Sequence, residues 1–112
     1  MIEKTILDYL AEGLDVPVYM ELPEDIPDTF VLVEKTGSSQ SNFISSAVIA
    51  LQSYASTMAE AASLDEKVKV LMDQAAALTD ISKSRLNSDY NFTDTSMKHY
   101  RYQAVYDLVY FE

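Results

Sequence analysis

The chain has no cysteine, one histidine, two glycines and three prolines in 112 residues. Without cysteine there is no disulfide framework, no thiolate nucleophile and no thiolate metal site, and nothing ties the chain to an oxidising compartment. Only Gly13 and Gly37 are available for turns, so glycine-rich loops that cradle phosphates are absent. No apolar run approaches the roughly 20 residues of a membrane-spanning helix. The segment MIEKTILDYLAEG places acids where a secretory signal carries its apolar core, so neither export nor membrane insertion is expected. Cations are scarce too: 8 Lys and Arg stand against 18 Asp and Glu, a formal net charge of −10. That argues against a protein that grips nucleic acid by its phosphates, which takes clustered Lys and Arg. The acids are unevenly placed. Glu3, Asp8, Glu12, Asp15, Glu21, Glu24, Asp25, Asp28 and Glu34 are opposed only by Lys4 in the first 34 residues. One reading is a solvated acidic surface that keeps the chain soluble. The other is a surface that repels DNA or meets a basic partner.

What is present is concentrated at the end of the chain. Residues 99–111, HYRYQAVYDLVYF, hold no Gly or Pro and alternate strictly. Tyr100, Tyr102, Ala104, Tyr106, Leu108 and Tyr110 fall on one side; His99, Arg101, Gln103, Val105, Asp107, Val109 and Phe111 fall on the other. A period of two with aromatic and β-branched residues predicts a strand. At about 3.3 Å per residue it is roughly 40 Å long, enough to organise a small sheet. The tyrosine side reads either as core under helices or as a binding surface, where Tyr is enriched. The other side is also partly apolar, and a single core needs only one. Something else, another subunit among the candidates, is expected to cover the second.

The length fits one domain, residues 1–112, whose chain buries about two-thirds of its unfolded surface on folding. Residues 2–12 read as an amphipathic helix, with Ile2, Ile6, Tyr9 and Leu10 on one side and Gly13 as a left-handed stop. Residues 16–22 read as a first strand with Pro17 at its start or on an edge. PEDIPD at 23–28 is an irregular connection. Residues 29–36 are a second strand. GSSQSN at 37–42 is a mobile loop by composition. Residues 43–54 are a third strand. Residues 57–78 are the main helix, opened by the capping box Thr57-Met58-Ala59-Glu60. Its buried stripe is Ala61, Leu64, Val68, Leu71, Met72, Ala75 and Leu78, with Glu60, Asp65, Glu66, Lys67 and Asp73 outside. Residues 80–90 are a polar fourth strand, and 91–98 a turn-rich connection into the last. Short connections favour an antiparallel meander, a crossover helix and a hairpin. The expected fold is α+β: two layers, a mostly antiparallel sheet of four to five strands, and two helices on one face.

Chemistry is hard to find. His99 stands beside Lys98 and Arg101 at a strand start, a place more typical of a surface residue than of a catalyst. No strained Gly-x-Ser-x-Gly turn supports a serine nucleophile. No His or acid cluster has metal-ligand spacing; Glu24, Asp25 and Asp28 lack the calcium-loop pattern and its turn glycine. The expectation is therefore a non-enzymatic protein with no catalytic residues, no cofactor and no metal.

The succession of VPVYMELPEDIPDTFVLVEKTG (16–37), FISSAVIALQSYASTMAEAASL (43–64) and RLNSDYNFTDTSMKHYRYQAVYDLVYF (85–111) resembles the tail terminator, or tail completion, proteins of long-tailed bacteriophages and prophages. The resemblance implies a structural virion protein at the tail–neck junction, made in the bacterial host cytoplasm. Such proteins form a ring, usually a hexamer, on the last ring of the tail tube. The ring stops tube polymerisation and offers the docking surface for the head connector, or stopper, protein. DNA passes through without specific binding, and no membrane is involved. In that setting Glu24 and Asp25 are candidates for ring or tube contacts. Ser38, Ser39 and Gln40 are candidates for a segment ordered on docking. The outer side of the last strand, Arg101, Val105, Val109 and Phe111, is a candidate half of a heterologous ring interface. Two alternatives stay open: a head-side connector or stopper protein of the neck, and an acidic DNA mimic that occupies a basic host protein.

Overall fold

The alternating stretches become strands. In the computed structural model, which describes residues 1–94 and 99–111, the elements run α1 (Ile2–Gly13), β1 (Val18–Tyr19), β2 (Phe30–Ser41), β3 (Ile44–Ala55), α2 (Met58–Asp73), a 3-10 turn (Ala75–Ala77), β4 (Ile81–Asn91) and β5 (Tyr100–Phe111). The strands form one sheet in the order β1-β2-β3-β5-β4. Every pair from β2 to β4 is antiparallel. Both helices pack on one face, so the expected α+β two-layer architecture is borne out.

That packing follows from the side-chain period. Val31, Val33, Ala47, Ile49, Leu51, Ala104, Tyr106 and Leu108 all point to the helix side and are buried. Against them lie Ile2, Ile6 and Leu10 of α1 and Leu64, Val68 and Met72 of α2. Burying one such side chain is worth about 1.5–3 kcal/mol, so this layer supplies the main driving force of the fold. Two tyrosines tie the layers with their hydroxyls. Tyr106 donates to Asp73 Oδ1 at 2.7 Å and lies 3.3 Å from the Lys69 carbonyl. Tyr9 donates to the Leu71 carbonyl at 2.6 Å, joining α1 to α2. Thr57 caps α2 as expected, its Oγ1 accepting the Glu60 amide at 3.1 Å.

Five expectations need correction. First, β1 is two residues long and parallel to β2. The proline-bearing connection returns the chain to the same end of the sheet, so no hairpin forms there. Second, residues 37–42 are not a loop. β2 runs on to Ser41 and pairs with β3 to the end, Ser41 opposite Ile44. The turn is only Asn42-Phe43, both at positive φ (52° and 67°), the signature of a type I′ hairpin. Polar composition suggested a loop, but a ladder needs only backbone groups. Third, Gly13 is the last residue of α1 and does not take a left-handed conformation. It is small for another reason: a Cβ there would stand 2.8 Å from Leu71 Cδ2. Fourth, α2 ends at Asp73 and passes into the 3-10 turn, short of residue 78. Fifth, Asp65 is buried under α2 with 1% of its surface exposed. Of the connection expected over 91–98, Asn91 Oδ1 accepts the Thr93 amide in an Asx turn; residues 95–98 lie outside the described residues.

Candidate functional site

The helices cover one face of the sheet, and among the described residues no helix or strand packs on the other. Register assigns its side chains directly. β2 contributes Leu32, Glu34, Ser39 and Ser41; β3 contributes Ile44, Ser46, Val48, Ala50, Gln52 and Tyr54. β5 contributes Arg101, Gln103, Val105, Asp107, Val109 and Phe111. β4 contributes Lys83, Arg85, Ser88 and Tyr90.

This open face has two halves. Near the start of β2 it is closed by stacking. Phe30 lies flat on Tyr54 with ring centroids 4.4 Å apart, and His99 meets both rings edge-on at 6.4 and 6.3 Å. The Arg101 guanidinium sits 4.3 Å over the Phe92 ring and donates through Nη1 to Tyr54 Oη at 2.9 Å and through Nε to the Phe92 carbonyl at 2.9 Å. From there a chain of hydrogen bonds crosses the sheet. Tyr54 donates to Gln52 Oε1 at 3.0 Å, Gln52 Nε2 to Gln103 Oε1 at 2.8 Å, and Gln103 Nε2 to Tyr90 Oη at 2.5 Å. Arg101, Tyr54, Gln52 and Gln103 each donate to the next group in the chain, which links the polar side chains of this half into one network. His99 is an aromatic contact here, beside a hollow of about 130 Å³ lined by Leu22, Ile26, Phe30, Tyr54, Asp94 and Arg101.

The other half carries most of the apolar side chains of this face, set around Glu34, Ser46, Asp107, Lys83 and Arg85, with Asn87 Nδ2 donating to Asp107 Oδ2 at 3.1 Å. Val48, Val105 and Val109 are half-buried with no helix or strand over them among the described residues, and Ile44, opposite Phe111, is exposed like it. The hairpin tip carries Phe43 with 85% of its surface exposed, on a left-handed backbone that a bulky side chain seldom adopts. Residues 36–48 hold no charged side chain at all.

The candidate interface residues therefore fall in three places. Arg101 belongs to the closed half, and Val105, Val109 and Phe111 to the apolar half. Because β5 lies between β3 and β4, its outer side is a face and not an edge. Ser38, Ser39 and Gln40 lie on β2 along a free edge. Glu24 and Asp25 lie in the connection before β2, where Glu21, Glu24, Asp25 and Asp28 are all exposed and make no ion pair among the described residues.

One group of acids was missed in sequence because its members come from separate elements. Asp65 and Glu66 of α2 and Asp89 of β4 bring carboxylate oxygens within 4.8 Å of one another. Lys69 Nζ already serves as their cation, 2.7 Å from Glu66, 2.6 Å from Asp89 and 3.8 Å from Asp65. Burial pushes the Asp65 carboxyl up, to about 8, helped by its hydrogen bond with Asp89 and by the Asp89 charge. Burial alone would raise Asp89 as well. The hydrogen bonds from Asp65 and Lys69 outweigh it and hold Asp89 below its ordinary value. Lys69 is raised by hydrogen bonds to Asp89 and Glu66. Counted as a carboxylate, Asp65 leaves its buried Oδ1 without a donor. A proton kept on Asp65 and shared with Asp89 resolves this. The arrangement is a neutralised structural pair that pins α2 to β4. The signal in sequence was an acid between Leu64 and Val68, at the rim of the apolar stripe.

These features define a two-layer α+β domain with one half-face rich in apolar side chains and a networked polar half. A scan against protein-family models finds no match for the chain, and a search of curated proteins finds none either.

Proposed function

We propose that the chain is a non-enzymatic virion protein, a tail terminator that assembles as a ring, caps the tail tube and presents the docking surface for the head connector. The reading starts from the resemblance of residues 16–37, 43–64 and 85–111 to that family. The observation that carries it furthest is the open sheet face. Its apolar half, Val48, Val105, Val109, Ile44 and Phe111, ends in the exposed ring of Phe43 and wants a protein partner over it. Interfaces of this kind combine an apolar centre with a polar rim. The Arg101–Tyr54–Gln52–Gln103–Tyr90 chain supplies such a rim on one side. On this reading the apolar half seats the tube or the connector. The acidic surplus keeps the ring from holding DNA in transit.

The experiment is tube growth. Tail-tube protein polymerised with the chain should give short tubes ending in a ring, visible by negative-stain microscopy. Tubes of unaltered length, with no density at their ends, sink the reading. Binding to portal assemblies in place of tubes moves the chain to the head side of the neck.

A further inference from the structure

We propose that the hollow beside His99 is a binding site for an aromatic side chain, and that its occupant is Phe43 of a second copy of this chain. The inference deepens the ring reading above and rests on it for closure of the ring, naming the residues by which one copy would hold the next.

Four observations carry it. The first is Phe43 itself. It ends the Asn42-Phe43 turn with φ at 67°, a left-handed conformation in which a bulky residue is an outlier. A type I′ turn favours glycine at this position. The ring packs on little in its own copy, with 85% of its surface exposed. Strain that the fold itself does not use points to a role outside the fold.

The second is the hollow. Buried Phe30, Tyr54 and His99 line it, together with Leu22 and Ile26 of the connection before β2, which are 52% and 42% exposed. Its volume of about 130 Å³ is close to the roughly 150 Å³ of an engineered apolar cavity that takes up benzene, so it has room for one aromatic ring. Its own rings offer the faces and edges on which an incoming ring packs best.

The third is placement. Phe30 pairs with Tyr54 at one end of the β2–β3 ladder, and Ser41 with Ile44 at the other. The eleven steps from residue 30 to residue 41, at about 3.4 Å each, put roughly 35 Å between Phe43 and the hollow of its own copy. A Phe43 that reaches the hollow therefore comes from another copy. The contact joins opposite ends of the chain, so it is heterologous, the kind that closes rings.

The fourth is charge. The chain carries −10, and Glu24 and Asp25, both exposed, lie between Leu22 and Ile26. They repel an acidic surface. Residues 36–48 hold no charged side chain, and Ser41 and Asn42 bring hydroxyl and amide donors beside Phe43 for those carboxylates. The hairpin tip is thus a part of a second copy that suits this acidic rim.

The test is mass by light scattering across a concentration range, with circular dichroism as the check on folding. Wild-type chain should assemble beyond a dimer. Phe43→Gly gives the turn the residue it favours, so folding is kept, while the concentration for assembly should rise by about tenfold or more. Ile26→Glu sets a charge in the hollow from an exposed position and should do the same; Leu22→Glu replaces it if folding is disturbed. Mixed, the Phe43→Gly and Ile26→Glu variants should give a one-to-one dimer and nothing larger. The first still offers an open hollow and the second still offers Phe43, so a single contact forms. Phe43→Gly assembling at the wild-type concentration overturns the inference, as does a mixture that stays monomeric or grows past the dimer. A wild type that stays monomeric or stops at a dimer overturns it too. A monomeric wild type that still caps tubes removes this contact and leaves the tail-terminator reading standing. The mixed dimer, from a wild type with no effect on tube growth, keeps this contact and removes the tail-terminator reading.

Discussion

The two faces of one sheet are built from alternate residues of the same strands, and they have opposite characters. On the helix side, Ile49, Leu51, Ala104, Tyr106 and Leu108 are closed over by α1 and α2. On the open side their immediate neighbours Val48, Val105 and Val109 are half-buried, with no helix or strand above them among the described residues. Composition alone does not separate them, since both sides of β5 carry apolar residues. What separates them is whether the same chain supplies a cover. The helix side is saturated by folding; the apolar half of the open side has no helix or strand of this chain over it among the described residues, which is why we propose it as a partner surface. The sharpest way to break this comparison is to remove volume from the helix side. Ile49→Ala should cost about 2–5 kcal/mol in urea denaturation, because a fully buried site loses transfer energy and keeps a cavity. A loss under 1 kcal/mol would mean that the helix layer is loosely packed and the two faces are less distinct than their burial implies.

Most of this division was legible in the sequence, and the part that was not has physical causes. The last strand, the capped helix and the two-layer architecture follow from periods of 2 and 3.6, which act through local geometry. The hairpin arm did not, because residues 37–41 hold no apolar side chain to mark a face. Their strand conformation comes from pairing with β3, a non-local cause. The parallel pairing of β1 was hidden in the same way, being fixed by where the chain returns. Among site residues, Val105, Val109 and Phe111 could be placed on one side of a strand from alternation alone. That the strand is an inner one, making its outer side a face, needed the strand order. Asp65 was placed outside because it is charged. The partner that lets it be buried, Asp89, is 24 residues away on another element.

Asp65 brings a buried ionisable group to the helix side, and it gives the second test. Its folded pKa is raised, so the native state holds a proton that the unfolded chain has released above about pH 4. Asp89 is lowered, the opposite sign, yet the pair together still keeps one proton that the unfolded chain lacks. The pair's contribution to stability should therefore be greatest near the unfolded carboxyl pKa, since the share from Asp89 is lost below it, and should fall as pH rises through the window up to about 8, by at most about 1.4 kcal/mol per pH unit. Asp65→Asn keeps a donor toward Asp89 and removes the titration. Denaturation midpoints at pH 5 and pH 8 should then differ less in the variant than in the wild type. Equal slopes in the two would show that Asp65 is ionised in the folded protein, with Lys69 as its full counter-charge.

The smallest effect on stability should come from the open face, and that smallness is what gives the comparison its meaning. Val105 pairs across with Ala50 and Ser88 and is half-buried. A lysine there can lay its carbon chain along the sheet and lift its ammonium into water. Val105→Lys should then change stability by less than about 1 kcal/mol, as surface substitutions do. Assembly through Phe43 should survive, since neither the hairpin tip nor the hollow is touched. A partner seated on the apolar half would instead meet a charge that it must desolvate, so capping of tail tubes should be lost. Stability, assembly and capping measured on one variant thus assign Val105 separately. Unfolding would return it to the core, and loss of assembly would move the subunit contact from the hairpin tip and the hollow onto the face. Loss of capping alone would make the open half-face the surface that receives another protein.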